Sequence, residues 1–217
     1  MDKKILLFLS LIFLVGFLGV VGFVNASNQL SEIQLHKGWN LVYGFTGTDR
    51  ILSGGDISST NIKAVYLLTQ PSQEYVRVYP DPESDKLWEL DDDYYEKTAQ
   101  WVYSDKSGIL KYNSEEPLPL GELKLYRGWN FVGITSNMIG PIEVSSGSFI
   151  DGQVQHIAGT CNIEKSYFFD PRAQEWVIFP LDEDFSDGAL GSGWIVKLSN
   201  DCKLGLKVGV IGPPELP

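Results

Sequence analysis

The chain has 217 residues, 28 of them acidic and 17 basic, for a formal net charge of −11. An acidic surface repels nucleic acid and anionic lipid, which excludes both as partners. With 6 Trp and 10 Tyr it is also too aromatic for a disordered stalk.

Lys3 and Lys4 precede an apolar run from Ile5 to Val24, and Val24-Asn25-Ala26 then gives way to polar Ser27-Asn28-Gln29. A basic start, an apolar stretch and a small-residue site form the pattern of a secretory signal. The run also matches the roughly 20 residues that span a bilayer. Residues 1–26 therefore read as a cleaved signal or as an N-terminal membrane anchor with the lysines inside. In both cases residues 27–217 are expected outside the cytoplasm, secreted or at the cell surface. Membrane contact is expected only through residues 5–24, if they stay attached. Without Asp2, Lys3 and Lys4 the remainder holds 27 acidic and 15 basic residues, a net charge of −12.

The next elements read as strands. Ile33 and Leu35 alternate with polar neighbours, as in a half-buried strand. Lys37-Gly38 supplies a turn whose glycine is free to take positive φ, and Trp39-Asn40-Leu41-Val42 starts a returning strand. Ala64–Leu68, a turn at Gln70–Glu74 and Tyr75–Tyr79 read as a hairpin. Acidic residues near Asp91–Ala99 suit a short helix. Trp101-Val102-Tyr103, a turn at Ser104–Gly108 and Ile109–Tyr112 read as a closing hairpin.

The same order then recurs. Leu123-Lys-Leu-Tyr-Arg-Gly-Trp-Asn-Phe-Val132 repeats Ile33-Gln-Leu-His-Lys-Gly-Trp-Asn-Leu-Val42 at an offset of 90. The hairpin starting at Tyr75 recurs at Trp176, an offset of 101, and Trp101 aligns with Trp194 at 93. Unequal loops between registered strands indicate two diverged copies of one fold. The fold expected is all-β: two tandem copies of a small antiparallel β module, sandwich- or barrel-like, with few or no helices. The modules are placed at residues 30–112 and 123–207, with a linker at 113–122 and a tail at 208–217. Cys161 and Cys202 both fall in the second module, where export favours a structural disulfide.

The block order resembles a module carried by many secreted and surface-layer proteins of bacteria and archaea. Gly38-Trp39-Asn40-Leu41-Val42 and Gly128-Trp129-Asn130-Phe131-Val132 match its first strand. Tyr167–Asp170 with Glu175-Trp176 match its aromatic hairpin, and Gly193-Trp194-Ile195-Val196 its last strand. Gln100-Trp101-Val102-Tyr103 lacks the glycine of that last element. The resemblance implies an exterior β module without catalytic residues of its own.

Candidate sites are few. Trp39, Trp101, Trp129, Trp176 and Trp194 read as core residues, because Trp is large enough to dominate a small core. The competing reading is a stacking platform for sugar rings. Trp88 has no counterpart in the second module and lies in an acidic loop near Tyr94 and Tyr95, which makes these three the candidates for an exposed ligand contact, with half-buried packing under the loop as the other reading. The loop with Asp81, Glu83 and Asp85 stands in register with the one holding Asp182 and Asp184, which Asp187 follows, and alternating carboxylates can wrap calcium. A solvated turn is the simpler reading, so no cofactor is required and calcium stays an alternative. His36 aligns with Tyr126, and His156 has no partner in sequence. Neither G-x-S-x-G nor HExxH nor a phosphate-binding glycine loop occurs.

The expectation is a non-catalytic exported scaffold of the cell envelope, contacting envelope proteins or surface glycans. A carbohydrate-binding module is the alternative, calcium-assisted or not, and a secreted hydrolase the third reading. Exposure of the aromatic side chains separates the first two.

Overall fold

The computed structural model describes residues 30–43, 61–87, 89–90, 94, 98–113, 120–140, 142–145, 148–150 and 152–206. Residues 1–26, Trp88, residues 91–93, Tyr95 and the tail at 208–217 lie outside the described residues. The first half runs β1 (Leu30–Leu35), β2 (Gly38–Val42), β3 (Ile62–Leu68), β4 (Tyr75–Tyr79), α1 (Ser84–Leu87), β5 (Gln100–Ser104) and β6 (Gly108–Asn113). The second runs β7 (Lys124–Leu125), β8 (Gly128–Gly133), β9 (Ile142–Ser145), β10 (Ser148–Ile150), α2 (Val154–Ile157), β11 (Ile163–Asp170), β12 (Glu175–Ile178), β13 (Gly193–Leu198) and β14 (Cys202–Lys203).

The chain is all-β and antiparallel, and its two halves share one topology. The first has a four-stranded sheet in the order β2-β5-β3-β4 and a two-stranded ribbon β1-β6. The second repeats this as β8-β13-β11-β12 with the ribbon β7-β14. Among the described residues no sheet closes into a barrel. Among the described residues the small hairpin β9-β10 has no counterpart in the first half.

Two expected hairpins are replaced by a bent ribbon. β1 does not return on β2, nor β6 on β5. Instead β1 pairs with β6 from Leu30↔Asn113 to Leu35↔Gly108, and β2 pairs with β5 from Gly38↔Ser104 to Val42↔Gln100. Two long strands thus run side by side and turn one corner together, passing from one sheet to another. Gly38 sits at the corner with φ of 103°, and Gly128 repeats it at 99°.

The motif's asparagine holds that corner. Asn40 Oδ1 accepts the His36 N–H at 2.8 Å, and its Nδ2 donates to the His36 and Gly38 carbonyls at 2.8 and 3.1 Å. Asn130 does the same with Tyr126 and Gly128. Both amides are buried. They satisfy backbone groups that the bend takes out of the ladder.

The register of the last strand differs from the expected one. Leu41 pairs with Trp101, whereas its equivalent Phe131 pairs with Ile195. Trp101 therefore corresponds to Ile195, and Trp194 to Gln100. One residue of slip puts a side chain on the opposite face. Trp194 points into its own module's core, fully buried, with Nε1 donating to Ser166 Oγ at 2.8 Å. Trp101 points the other way, toward the second module. The hairpin register of 101 stands: Leu68 pairs with Tyr75 as Phe169 pairs with Trp176.

Each half has its own core. Val42, Val65, Leu67, Val76, Val78 and Val102 fill the first, closed by Leu87 of α1 and by Tyr94. Val132, Ile134, Ile157, Trp194, Val196 and Leu204 fill the second, with Phe185 edge-on to Trp194. The Cys161–Cys202 disulfide, with α-carbons 5.0 Å apart, is part of that core. Leu120, expected at the end of the linker, also packs there. The short helix expected at Asp91–Ala99 is not what Thr98 and Ala99 form. β8 takes their backbone: Thr98 bridges Val132, and Ala99 N–H donates to Phe131 O at 3.0 Å, whereas Tyr94 within the expected span is 3-10 helical.

A third apolar layer joins the halves. The outer faces of the two four-stranded sheets meet through Leu41, Leu68, Ala99, Phe131 and Ile195, with Trp101, Trp129, Tyr167 and Phe169 packed around them. The strand ends cross at this joint, with Val42 bridging Ser192 as Val132 bridges Thr98. The two halves are thus related by an approximate two-fold axis.

Candidate functional site

Equivalent glutamines cross that axis in both directions. Gln174, in the β11–β12 turn, accepts the Trp39 N–H at 2.8 Å and donates to the Trp39 carbonyl at 2.9 Å. Gln73, in the β3–β4 turn, does the same for Trp129 at 2.6 and 2.9 Å. Both glutamines have positive φ, 59° and 60°. Their side-chain amides act as one-residue strands on the outer edges of β2 and β8, where unpaired backbone would otherwise recruit another chain. A β-carbon on Gly38 would lie 2.5 Å from Gln174 Oε1, and one on Gly128 2.8 Å from Gln73 Oε1. The motif's glycine is therefore required by the corner and again by the incoming amide.

Toward the Trp39 and Trp129 ends the sandwich opens into two clefts. The first, of about 680 Å³, is lined by Trp39, Tyr66, Tyr75, Trp101, Phe169, Gln174 and Trp176. The second, of about 560 Å³, is lined by Leu68, Gln73, Tyr75, Trp129, Phe131, Tyr167, Trp176 and Ile195. Both volumes are typical of small-ligand sites. Tyr75 and Trp176, themselves equivalent residues, line both clefts. Trp176 is 49% exposed, Tyr75 54% and Trp39 36%.

The rings are fixed by one another. Trp101 meets Phe169 at 4.8 Å and Trp176 at 5.4 Å between centroids, both edge to face. Trp39 meets Tyr103 at 5.1 Å and Trp101 at 6.1 Å in the same manner. Edge-to-face pairs add stability beyond burial and limit ring rotation. The walls form a trough of inclined faces rather than a flat platform. Among the described residues, no side chain lining either cleft is charged, so these walls are apolar and neutral.

The residues singled out in sequence fare differently. Tyr94 is no exposed contact: its ring lies in the first core and its hydroxyl donates to the Leu68 carbonyl. An amphipathic side chain with a partner for its oxygen is stable inside. Trp88 and Tyr95 lie outside the described residues. Among the Trp side chains expected in cores, Trp194 is buried, Trp101 and Trp129 are half-buried at the joint, and Trp39 and Trp176 are exposed.

The acids do not gather. Glu83 accepts the Arg77 N–H at 3.1 Å and pairs with Lys86 at 3.2 Å, and these contacts hold its carboxyl below the usual range. Asp81, just before α1, and Asp85, in its first turn, are exposed, as are Asp182, Asp184 and Asp187. Among the described residues no three His, Cys, Asp or Glu side chains form a metal-sized group. His156 lies within α2 and lines neither cleft.

The halves differ in what covers the outermost strand. Val76 of β4 is 1% exposed because α1 and its Leu87 lie over it, whereas the equivalent Val177 of β12 is 44% exposed. Sequence comparison could have found the exposed aromatics only through the hairpin register, which places Tyr75 and Trp176 on the joint face.

Compared with known family models, curated proteins and solved structures, the chain matches none.

Proposed function

We propose that this chain is a non-catalytic, exported binding protein whose aromatic clefts hold a neutral carbohydrate. The observation that carries this reading is the exposure of Trp39, Tyr75 and Trp176 around an uncharged trough. Sugar rings present apolar C–H faces that stack on aromatic faces, and they bring no charge that a neutral wall would have to desolvate. The net negative charge of the chain disfavours anionic ligands. Export rests on the leader-like residues 1–26 and accords with the disulfide, which persists in oxidising compartments. The resemblance to exterior β modules agrees with that placement.

Co-sedimentation with insoluble neutral polysaccharides, with calcium and with chelator, tests the reading. Saturable pelleting is expected, reduced at least about tenfold by Trp176→Ala, the loss of one aromatic contact worth ~1.4 kcal/mol. Retention of full binding by Trp176→Ala and by Trp39→Ala would sink it. Loss of binding in chelator would return calcium to the acidic loops.

A second reading, a scaffold contacting envelope proteins, is favoured by one feature. β12 is exposed along its length, with Val177 at 44% and Ile178 at 72%. Pelleting with envelope protein fractions but not with glycan would support it.

A further inference from the structure

We infer that the two clefts are the halves of one elongated site, which takes a single neutral oligosaccharide chain across the approximate two-fold axis. This rests on the carbohydrate reading and adds to it the length and course of the ligand. The clefts share Tyr75 and Trp176, so a ligand in either one stacks against the pair that begins the other. Two independent sites would not have a wall in common at their most exposed rings.

The chemistry of the lining restricts the occupant. The described residues lining both clefts include no charged side chain, whereas the chain carries a formal net charge of −11. An uncharged ligand matches the trough, and a second acidic copy of the protein meets repulsion at close approach. A two-fold axis reverses the direction of any chain laid across it. Hydrogen-bonded subsites would resist that reversal, but ring stacking does not depend on the direction of the sugar chain.

The two ends are unequal. Trp101 in the first cleft is replaced by Ile195 in the second, and Phe169 by Leu68. The first cleft therefore holds the stronger subsite, and the second extends it. Joining two weak subsites through one ligand raises affinity without new contact types, because the second contact is made at high effective concentration.

Isothermal titration of the full chain with cello- and chito-oligosaccharides, from disaccharide to hexasaccharide, tests this. Affinity is expected to climb about tenfold or more with length, at one ligand per chain. Tyr167→Ala, at a residue that lines the second cleft and not the first, is expected to abolish the climb while lowering disaccharide affinity by less. Trp39→Ala, in the first cleft alone, is expected to weaken every length. Circular dichroism of each variant guards against loss of fold. A hexasaccharide that binds no tighter than a disaccharide, or two disaccharides bound per chain with Tyr167→Ala silent, overturns the single elongated site but leaves carbohydrate binding intact. If no oligosaccharide binds, the carbohydrate reading falls, and this inference with it. Concentration-dependent dimerisation lost in Trp176→Ala would assign the groove to a second copy and overturn the inference as well.

Discussion

Asn130 and its equivalent Asn40 are small buried amides with an unusually full set of partners. Each closes a ring around the bend, accepting an N–H four residues back and donating to two carbonyls. Removing the amide leaves those backbone groups buried without their partners, which costs about 1–3 kcal/mol. Asn130→Ala is therefore expected to lower the urea midpoint with the m-value unchanged. An unchanged midpoint would mean that water replaces the amide at the corner. The repeat identified these asparagines from the sequence. Their role was not legible there, because the groups they serve belong to a bend between sheets, and two adjacent strands in a sequence look the same whether they fold back or turn a corner. Gln73 and Gln174 were less visible still. They sit in turns, where a polar residue is unremarkable, and the backbone they pair with lies 56 and 135 residues away.

Strands and hairpins were the most legible level. Alternation located β1 and β7, and turn chemistry located β2, the β3–β4 and β11–β12 hairpins, and β5 and β6. Pairing was harder: the bent ribbon joins residues 58 or more apart, which no local pattern encodes. Register failed at β5 and β13 for a simple reason. Trp101 and Trp194 look alike and sit near one another in the repeat, yet one faces the joint and the other its own core. The disulfide belongs to this scale too. It closes a separation of 41 residues and ties β14 to the loop before β11. By the chain-entropy account such a loop contributes about 4 kcal/mol. Cys161→Ser with Cys202→Ser is expected to lower unfolding stability by an amount of that order, with the loss of amide protection concentrated in the second half. Equal loss of protection in both halves would show instead that the molecule opens as one unit.

The joint governs the molecule as a whole. Ala99, Leu41 and Gly193 meet so closely that a β-carbon on Gly193 would lie 2.3 Å from Leu41 Cγ and 2.7 Å from Ala99 Cβ. Overpacking of this kind costs about 1–3 kcal/mol. Gly193→Ala is expected to turn a single calorimetric unfolding transition into two, because it weakens the contact between halves more than either core. A single transition with a slightly lower midpoint would show that the joint adapts by small shifts. The clefts depend on the same geometry. Trp39 and Trp176 come from different halves and share a trough only while the sheets stay docked, so loosening the joint should weaken ligand binding as well.

The sequence by itself determined the duplication, the all-β class, the aromatic hairpins and the pair of cysteines, because each follows from local periodicity, from turn residues or from composition. The tertiary structure decided which strands pair, which face each tryptophan takes and where the aromatics gather. Those outcomes depend on contacts between residues far apart in the chain. In a strand a shift of one residue exchanges inside for outside, and local pattern cannot fix that shift when both faces are apolar.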